Sequence, residues 1–118
     1  MDHPPEFLAL VAEVRKRIRE LSPEEAAALI RAGAVVIDVR DKDEVAGGQM
    51  DGAVNISRGT LEMRITEVVP DKNTPIVCYC AGGNRGALAT DTLVKLGYKN
   101  AVSIAGGLKG YRATVKDD

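Results

Sequence analysis

Tryptophan is absent from the 118 residues, phenylalanine occurs once and tyrosine three times, so the chain lacks the aromatic platform on which nucleic-acid bases stack. Histidine is as scarce. His3 with Cys78 and Cys80 supplies no ordinary zinc ligand set, and its distance along the chain from both cysteines argues against a Cys-His catalytic pair. The cysteines stand one residue apart on a single extended run, a placement unsuited to a mutual disulfide, so both are expected to be reduced. Charge of one sign is not in excess either. With 16 basic and 17 acidic residues the net charge is -1, which gives no electrostatic reason to capture nucleic acid or an anionic membrane. No apolar run reaches membrane-spanning length, and the N-terminal stretch Met1 to Glu6 carries acid and proline where a secretory leader carries basic and then apolar residues. The expected location is the cytoplasm. The length suits one domain with one substantial core.

What is present alternates between helical and extended patterns. Phe7, Val11, Val14, Ile18 and Leu21 recur at steps of three and four, which predicts an amphipathic helix. Its opposite side carries Arg15, Lys16, Arg17 and Arg19, read as a solvated face favoured near a helix C-terminus. The segment from Ile18 to Leu21 can equally be a short extended edge. Ser22-Pro23-Glu24-Glu25 is a capping box with proline at the first helical position and predicts a helix to about Ala32, stopped by Gly33. The run from Ala34 to Val39 reads as a strand buried on both faces, interrupted by Asp38, whose carboxylate needs an arginine partner such as Arg40. Asp41 and Glu44 repeat the capping spacing for a short helix, and a turn at Asp51-Gly52 leads to a strand over 53–56. Thr60 is placed as the cap of a helix to about Val68. Strands over 76–79 and 101–104, and helices from about Arg85 to Leu96 and after Gly106-Gly107, complete the chain. This alternation predicts an α/β fold with a mostly parallel sheet covered on both sides, and ligands in such sheets collect at the carboxyl ends of the strands.

Cys80 falls at one of those ends, just before a helix. Backbone amides at the centre of the loop and at the helix start carry partial positive charge that favours a thiolate. Gly82 and Gly83 are expected to give the backbone positive φ and bring those amides close. Arg85 is read either as a fixed charge on the substrate or as a structural partner of Asp38 or Asp41. Four residues separate Cys80 from Arg85. A cysteine phosphatase loop carries one residue more, and its arginine position is Gly86 here. The shorter cradle suits one extra sulfur better than a tetrahedral phosphate. Cys78, on the same strand, is read as core packing.

Five ordered pieces resemble the rhodanese, or sulfurtransferase, family: Val36-Ile37-Asp38-Val39-Arg40, then Gly48 to Ile56, then Ile76 to Gly86, then Gly97-Tyr98, then Ala105-Gly106-Gly107. The likeness spans roughly 18–113. It implies a rhodanese domain over 18–118, a short parallel sheet flanked by helices, preceded by an N-terminal helical extension over 1–17. It also implies that Cys80 carries sulfur as a persulfide, that Ala81, Gly82, Gly83, Asn84 and Arg85 form the substrate cradle, and that Asp38 and Arg40 support the surroundings of the loop. Gln49, Val45 and Tyr111 stand where members often have histidine, an aromatic and tryptophan. Ala81 and Gly82 offer no basic side chain, unlike the loops of thiosulfate-preferring members. The donor therefore stays open among thiosulfate, polysulfide and a protein persulfide, with Arg58 and Arg64 as possible cations near the mouth.

The expected activity is double displacement: Cys80 takes a sulfane sulfur from a small donor and passes it to a thiol, a protein thiol included, or to cyanide, with no metal and no organic cofactor. A catalytically weak binding module that uses the N-terminal helix to hold a partner is the competing reading, and a cysteine phosphatase is a third.

Overall fold

The computed structural model describes residues 3–115; the expected extents 1–17 and 18–118 run beyond these at either end. The elements are α1 (Pro5–Arg15), β1 (Glu20–Leu21), α2 (Pro23–Arg31), β2 (Val35–Asp38), α3 (Lys42–Val45), β3 (Val54–Asn55), a 3-10 turn (Arg58–Thr60), α4 (Leu61–Val68), β4 (Ile76–Tyr79), α5 (Asn84–Lys95), β5 (Ala101–Ile104) and α6 (Gly107–Thr114). The five strands form one sheet in the order β1-β5-β4-β2-β3, every pair parallel. Among the described residues no helix is long and apolar enough to cross a membrane.

The central strands alternate their side chains between two cores, as the period of two requires. Ile37, Ile76, Cys78 and Cys80 face Leu61 and Ile65 of α4 and Ala89 and Leu93 of α5. Val36, Val77, Tyr79, Val102 and Ile104 face Ala26 and Ala27 of α2 and Leu108 and Tyr111 of α6. A third cluster lies outside the α4/α5 layer, where Val11 and Val14 of α1 pack on Ala87 of α5 with Phe7, Ile18 and Leu88 around them.

Local chemistry accounts for most boundaries. The Ser22 hydroxyl accepts from the Glu25 amide at 3.1 Å and the Ser22 amide donates to the Glu25 carboxylate at 2.9 Å, closing the capping box of α2. The helical reading of Ile18 to Leu21 gives way to the extended one. α1 ends at Arg15, and the segment after it pairs with β5 because that edge would otherwise leave donors open: Ser103 and Ala105 donate their amides to the carbonyls of Arg19 and Leu21. Thr60 takes the N-cap position of α4 as expected, but without a side-chain cap bond: its hydroxyl donates back to the Ser57 carbonyl at 3.2 Å within the 3-10 turn.

Candidate active site

β4 carries Cys80 to the carboxyl rim of the sheet, between β2 and β5. Its sulfur turns inward, leaving the residue 1 % exposed. There Sγ accepts hydrogen bonds from the amides of Gly83 at 3.1 Å and Gly86 at 3.2 Å. Both donors belong to the loop end or first turn of α5, where amides lack intrahelical partners and the helix presents its positive end. The hydrogen bonds to the sulfur thus come from backbone donors.

The glycines of the loop differ in their reasons for being there. Gly83 has φ +109 and requires glycine. Gly82 does not have positive φ, contrary to expectation, and a Cβ on it would meet nothing within 4 Å. Gly86 lies where a Cβ would stand 3.4 Å from the Cys80 amide nitrogen, so its small size lets α5 close onto the strand end.

The start of α6 holds the other side of the loop. The amides of Leu108 and Lys109 donate to the carbonyls of Cys80 at 2.8 Å and Ala81 at 3.1 Å. The nucleophile's segment is thus gripped from both sides by helix N-termini, its sulfur from α5 and its carbonyls from α6.

Arg85 points to Glu44, not to Asp38 or Asp41, with Nη1 and Nη2 at 2.6 and 2.8 Å from the two carboxylate oxygens. This fork holds the Glu44 carboxyl at about 2, well below the usual carboxylate range, and raises Arg85 further above its ordinary value. Glu44 is held in place in the first turn of α3, where it also accepts from the Asp41 amide at 3.2 Å and closes the capping box. Asp38 is taken already. Fully buried, it accepts from Nε of Arg40 at 3.0 Å, from Nη2 at 2.7 Å and from the Arg40 amide at 3.0 Å. Arg40 also donates to the Gly48 carbonyl at 2.7 Å and lies over the Tyr79 ring. Asp38 and Arg40 therefore brace the neighbouring rim and do not touch the sulfur.

A cavity of about 280 Å³ opens onto Cys80, lined by Ala81, Gly82, Asn84, Arg85, Phe7 and His3. A second, of about 340 Å³, is lined by Arg40, Leu108, Lys109 and Arg112 and meets the first at Ala81. Arg58 and Arg64 line neither; Arg58 is drawn to Glu62 and to Thr92 of α5. His3, expected far from the cysteines, is in the Cys80 cavity because α1 folds back over α5. Glu44, the α6 amides, Phe7 of α1 and His3 just before it are the residues that sequence reasoning missed. Cys78 is fully buried, and burial pushes its thiol up to about 12. It takes no part in the mouth.

A cysteine seated at the carboxyl rim of a parallel sheet, its sulfur bound by backbone amides and its short loop closed by an arginine, defines a thiol-nucleophile α/β domain of the sulfur-carrying kind. The family model described as the rhodanese-like domain matches residues 22–114, and the chain belongs to that family. Thiosulfate sulfurtransferase GlpE of Pseudomonas entomophila is 38% identical over 96 residues, covering 81% of this chain and 86% of that protein. Among solved structures, a Rhodopseudomonas palustris protein of unknown function, described as a possible tyrosine phosphatase, superposes with a TM-score of 0.84 at 30% identity, covering 96% of this chain and 93% of that one. The polysulfide-sulfur transferase homodimer of Wolinella succinogenes superposes with a TM-score of 0.75 at 31% identity, covering 90% of this chain and 81% of that one. The chain is a rhodanese-type sulfurtransferase.

Proposed function

We propose that Cys80 shuttles a sulfane sulfur from thiosulfate or polysulfide to a thiol acceptor through an enzyme persulfide. The observation that carries this reading is the pair of amides, Gly83 and Gly86, on Sγ. They hold charge on a bare sulfur, and the loop, with four residues between Cys80 and Arg85, is sized for one further sulfur atom. In the first half-reaction the Cys80 thiolate attacks the outer sulfur of thiosulfate. The sulfur-sulfur bond of the donor breaks, its electron pair leaves with sulfite, and Cys80 is left as a persulfide anion. In the second, the acceptor sulfur bonds to the outer sulfur, the Sγ–S bond breaks, and its electron pair returns to Sγ while the thiol proton passes to the transferred sulfur. Ala81, Gly82, Gly83, Asn84 and Arg85 form the cradle, and Asp38 and Arg40 hold its surroundings.

Thiosulfate as donor is supported from two directions. Lys109 and Arg112 supply at the adjoining cavity the positive charge that Ala81 and Gly82 lack, and cations near the mouth raise the local concentration of an anion. The GlpE relative is named for thiosulfate, and the Wolinella protein for polysulfide. The reducing cytoplasm, which keeps such thiols free, is the compartment this chemistry suits.

Mass spectrometry after incubation with each donor tests the reading. A single sulfur added to the wild-type chain and absent from Cys80→Ser is expected. An unmodified wild-type protein with both donors would overturn it and favour the binding module, and Cys80-dependent turnover of an aryl phosphate would favour the phosphatase.

A further inference from the structure

The cavity at Cys80 is not built by the family domain alone. The matched residues begin at 22, yet the walls of the cavity include His3 and Phe7. Both come from the start of the chain, and α1 is what carries them there. Val11 and Val14 are buried at 1% and 2% exposure against Ala87 of α5. Just past the helix, Arg17 forks onto Asp91 of α5 at 2.8 and 2.9 Å, and Arg15 pairs with Glu20 at 3.2 Å. These anchors hold the carboxyl half of α1 to the body of the domain, which leaves its amino end over the cysteine loop. There the rings of His3 and Phe7 lie 5.2 Å apart, tilted at 46°.

The character of this wall differs from the rest of the site. The opposite side of the mouth is basic, with Lys109 and Arg112, and suits a small inorganic anion. The α1 side offers an aromatic surface and an imidazole, and Asn84 lines the same cavity. Arg85, the charged group on this side, has its fork occupied by Glu44. The volume of about 280 Å³ leaves room for an organic body beside the sulfur.

Resting on the persulfide reading above, we infer that α1 supplies an acceptor subsite: His3 and Phe7 seat the organic body of a small thiol and direct its sulfur at the persulfide on Cys80. The ring of Phe7 covers the carbon skeleton, and the imidazole of His3 hydrogen-bonds its polar groups. The donor half-reaction does not use this wall. His3 and Phe7 are thus specificity residues for the second half-reaction, placed by a helix that the family domain does not include.

Discharge of the preformed persulfide on the full chain tests this, with glutathione and cyanide as alternative acceptors. His3→Ala and Phe7→Ala should each lower the ratio of kcat/KM for glutathione to that for cyanide by about tenfold, the worth of one ring contact, through KM. Phe7→Leu should recover part of the loss, and Leu10→Ser, on the exposed side of α1, should leave the ratio where it is. A ratio unchanged in both alanine variants overturns the subsite. An equal loss with cyanide also overturns it, since α1 would then act only on the shape of the loop, and preserved glutathione kinetics in His3→Ala alone removes His3 even where Phe7→Ala undocks the helix. Failure of the wild-type chain to form a persulfide at all would instead refute the Cys80 chemistry, and the loading step reads that separately.

Discussion

Gly107→Ala probes whether α6 shapes the nucleophile loop. Gly107 has φ +60, and a Cβ on it would stand 2.6 Å from the Cys80 carbonyl oxygen, 2.7 Å from that of Ala81 and 2.8 Å from the Ala81 carbonyl carbon. All three are backbone atoms, so relief requires shifting the loop or α6. Either movement strains the hydrogen bonds from Leu108 and Lys109 to those same carbonyls. Overpacking a filled site costs about 1–3 kcal/mol, and left-handed backbone costs a residue with a Cβ about 1 kcal/mol more. A loss of about 3 kcal/mol lowers Tm by roughly 12 °C at about 4 °C per kcal/mol for a chain of this size. Because the clash falls on the carbonyl of the nucleophile itself, displacement reaches Sγ, and the rate of persulfide formation should drop by about a hundredfold. Calorimetry and the rate of sulfur loading read the two effects. Gly82→Ala is the comparator: with no atom within 4 Å and no positive φ, it should keep or raise stability by about 0.4–1 kcal/mol through the unfolded chain. Equal melting temperatures for the two variants would refute the reasoning.

Asp38→Asn leaves the guanidinium of Arg40, 6% exposed, without its carboxylate, and breaking a buried pair this way costs about 3–5 kcal/mol; the urea midpoint should fall with the slope unchanged. Glu44→Gln tests the fork to Arg85 through pH. The Glu44 carboxyl is depressed to about 2 from 4.5, so the pair stabilises the fold fully above the ordinary glutamate range and loses that contribution as pH falls towards 2. With both side chains about one-third exposed, screening limits the effect to about 1 kcal/mol. The stability difference between wild type and Glu44→Gln should therefore be present at pH 6 and vanish near pH 2, and a gap that persists at the acid end would remove the charge from the explanation.

The fold was legible wherever one stretch of chain settles its own conformation. The Ser22 box, the strand over 76–79 and the stop at Gly33 are local chemistry and stand as read, and the run from Ala34 to Val39 holds β2, which spans Val35–Asp38 within it. The errors fall where a distant partner decides. Ile18 and Leu21 continue the helical spacing of Phe7, Val11 and Val14, yet the open edge of β5 takes Glu20 and Leu21 as a strand. Gly82 and Gly83 look equivalent in sequence, but only Gly83 sits where the chain must turn to aim its amide at Sγ.

The candidate site follows the same division. The proposed nucleophile and cradle, Cys80 to Arg85, are contiguous, so one stretch of sequence and the resemblance it carries were enough to propose them. The partner of Arg85 was not legible by proximity in sequence, although two local facts pointed to it: Arg40 satisfies Asp38 two residues away, and the α3 cap turns Glu44 towards the strand ends. Ala81 and Gly82 leave the loop itself without a basic side chain, and the cations expected near the mouth, Arg58 and Arg64, line neither cavity, whereas Lys109 and Arg112 line the adjoining one. In the folded chain the sulfur is served by backbone amides of α5, the loop carbonyls by those of α6, and the surrounding side chains by α1 and α6. On the reading proposed above, what sets this loop apart from others of its length comes from α1 and α6, and substitutions there are expected to retune acceptor and donor while the two amides on Sγ stay in place.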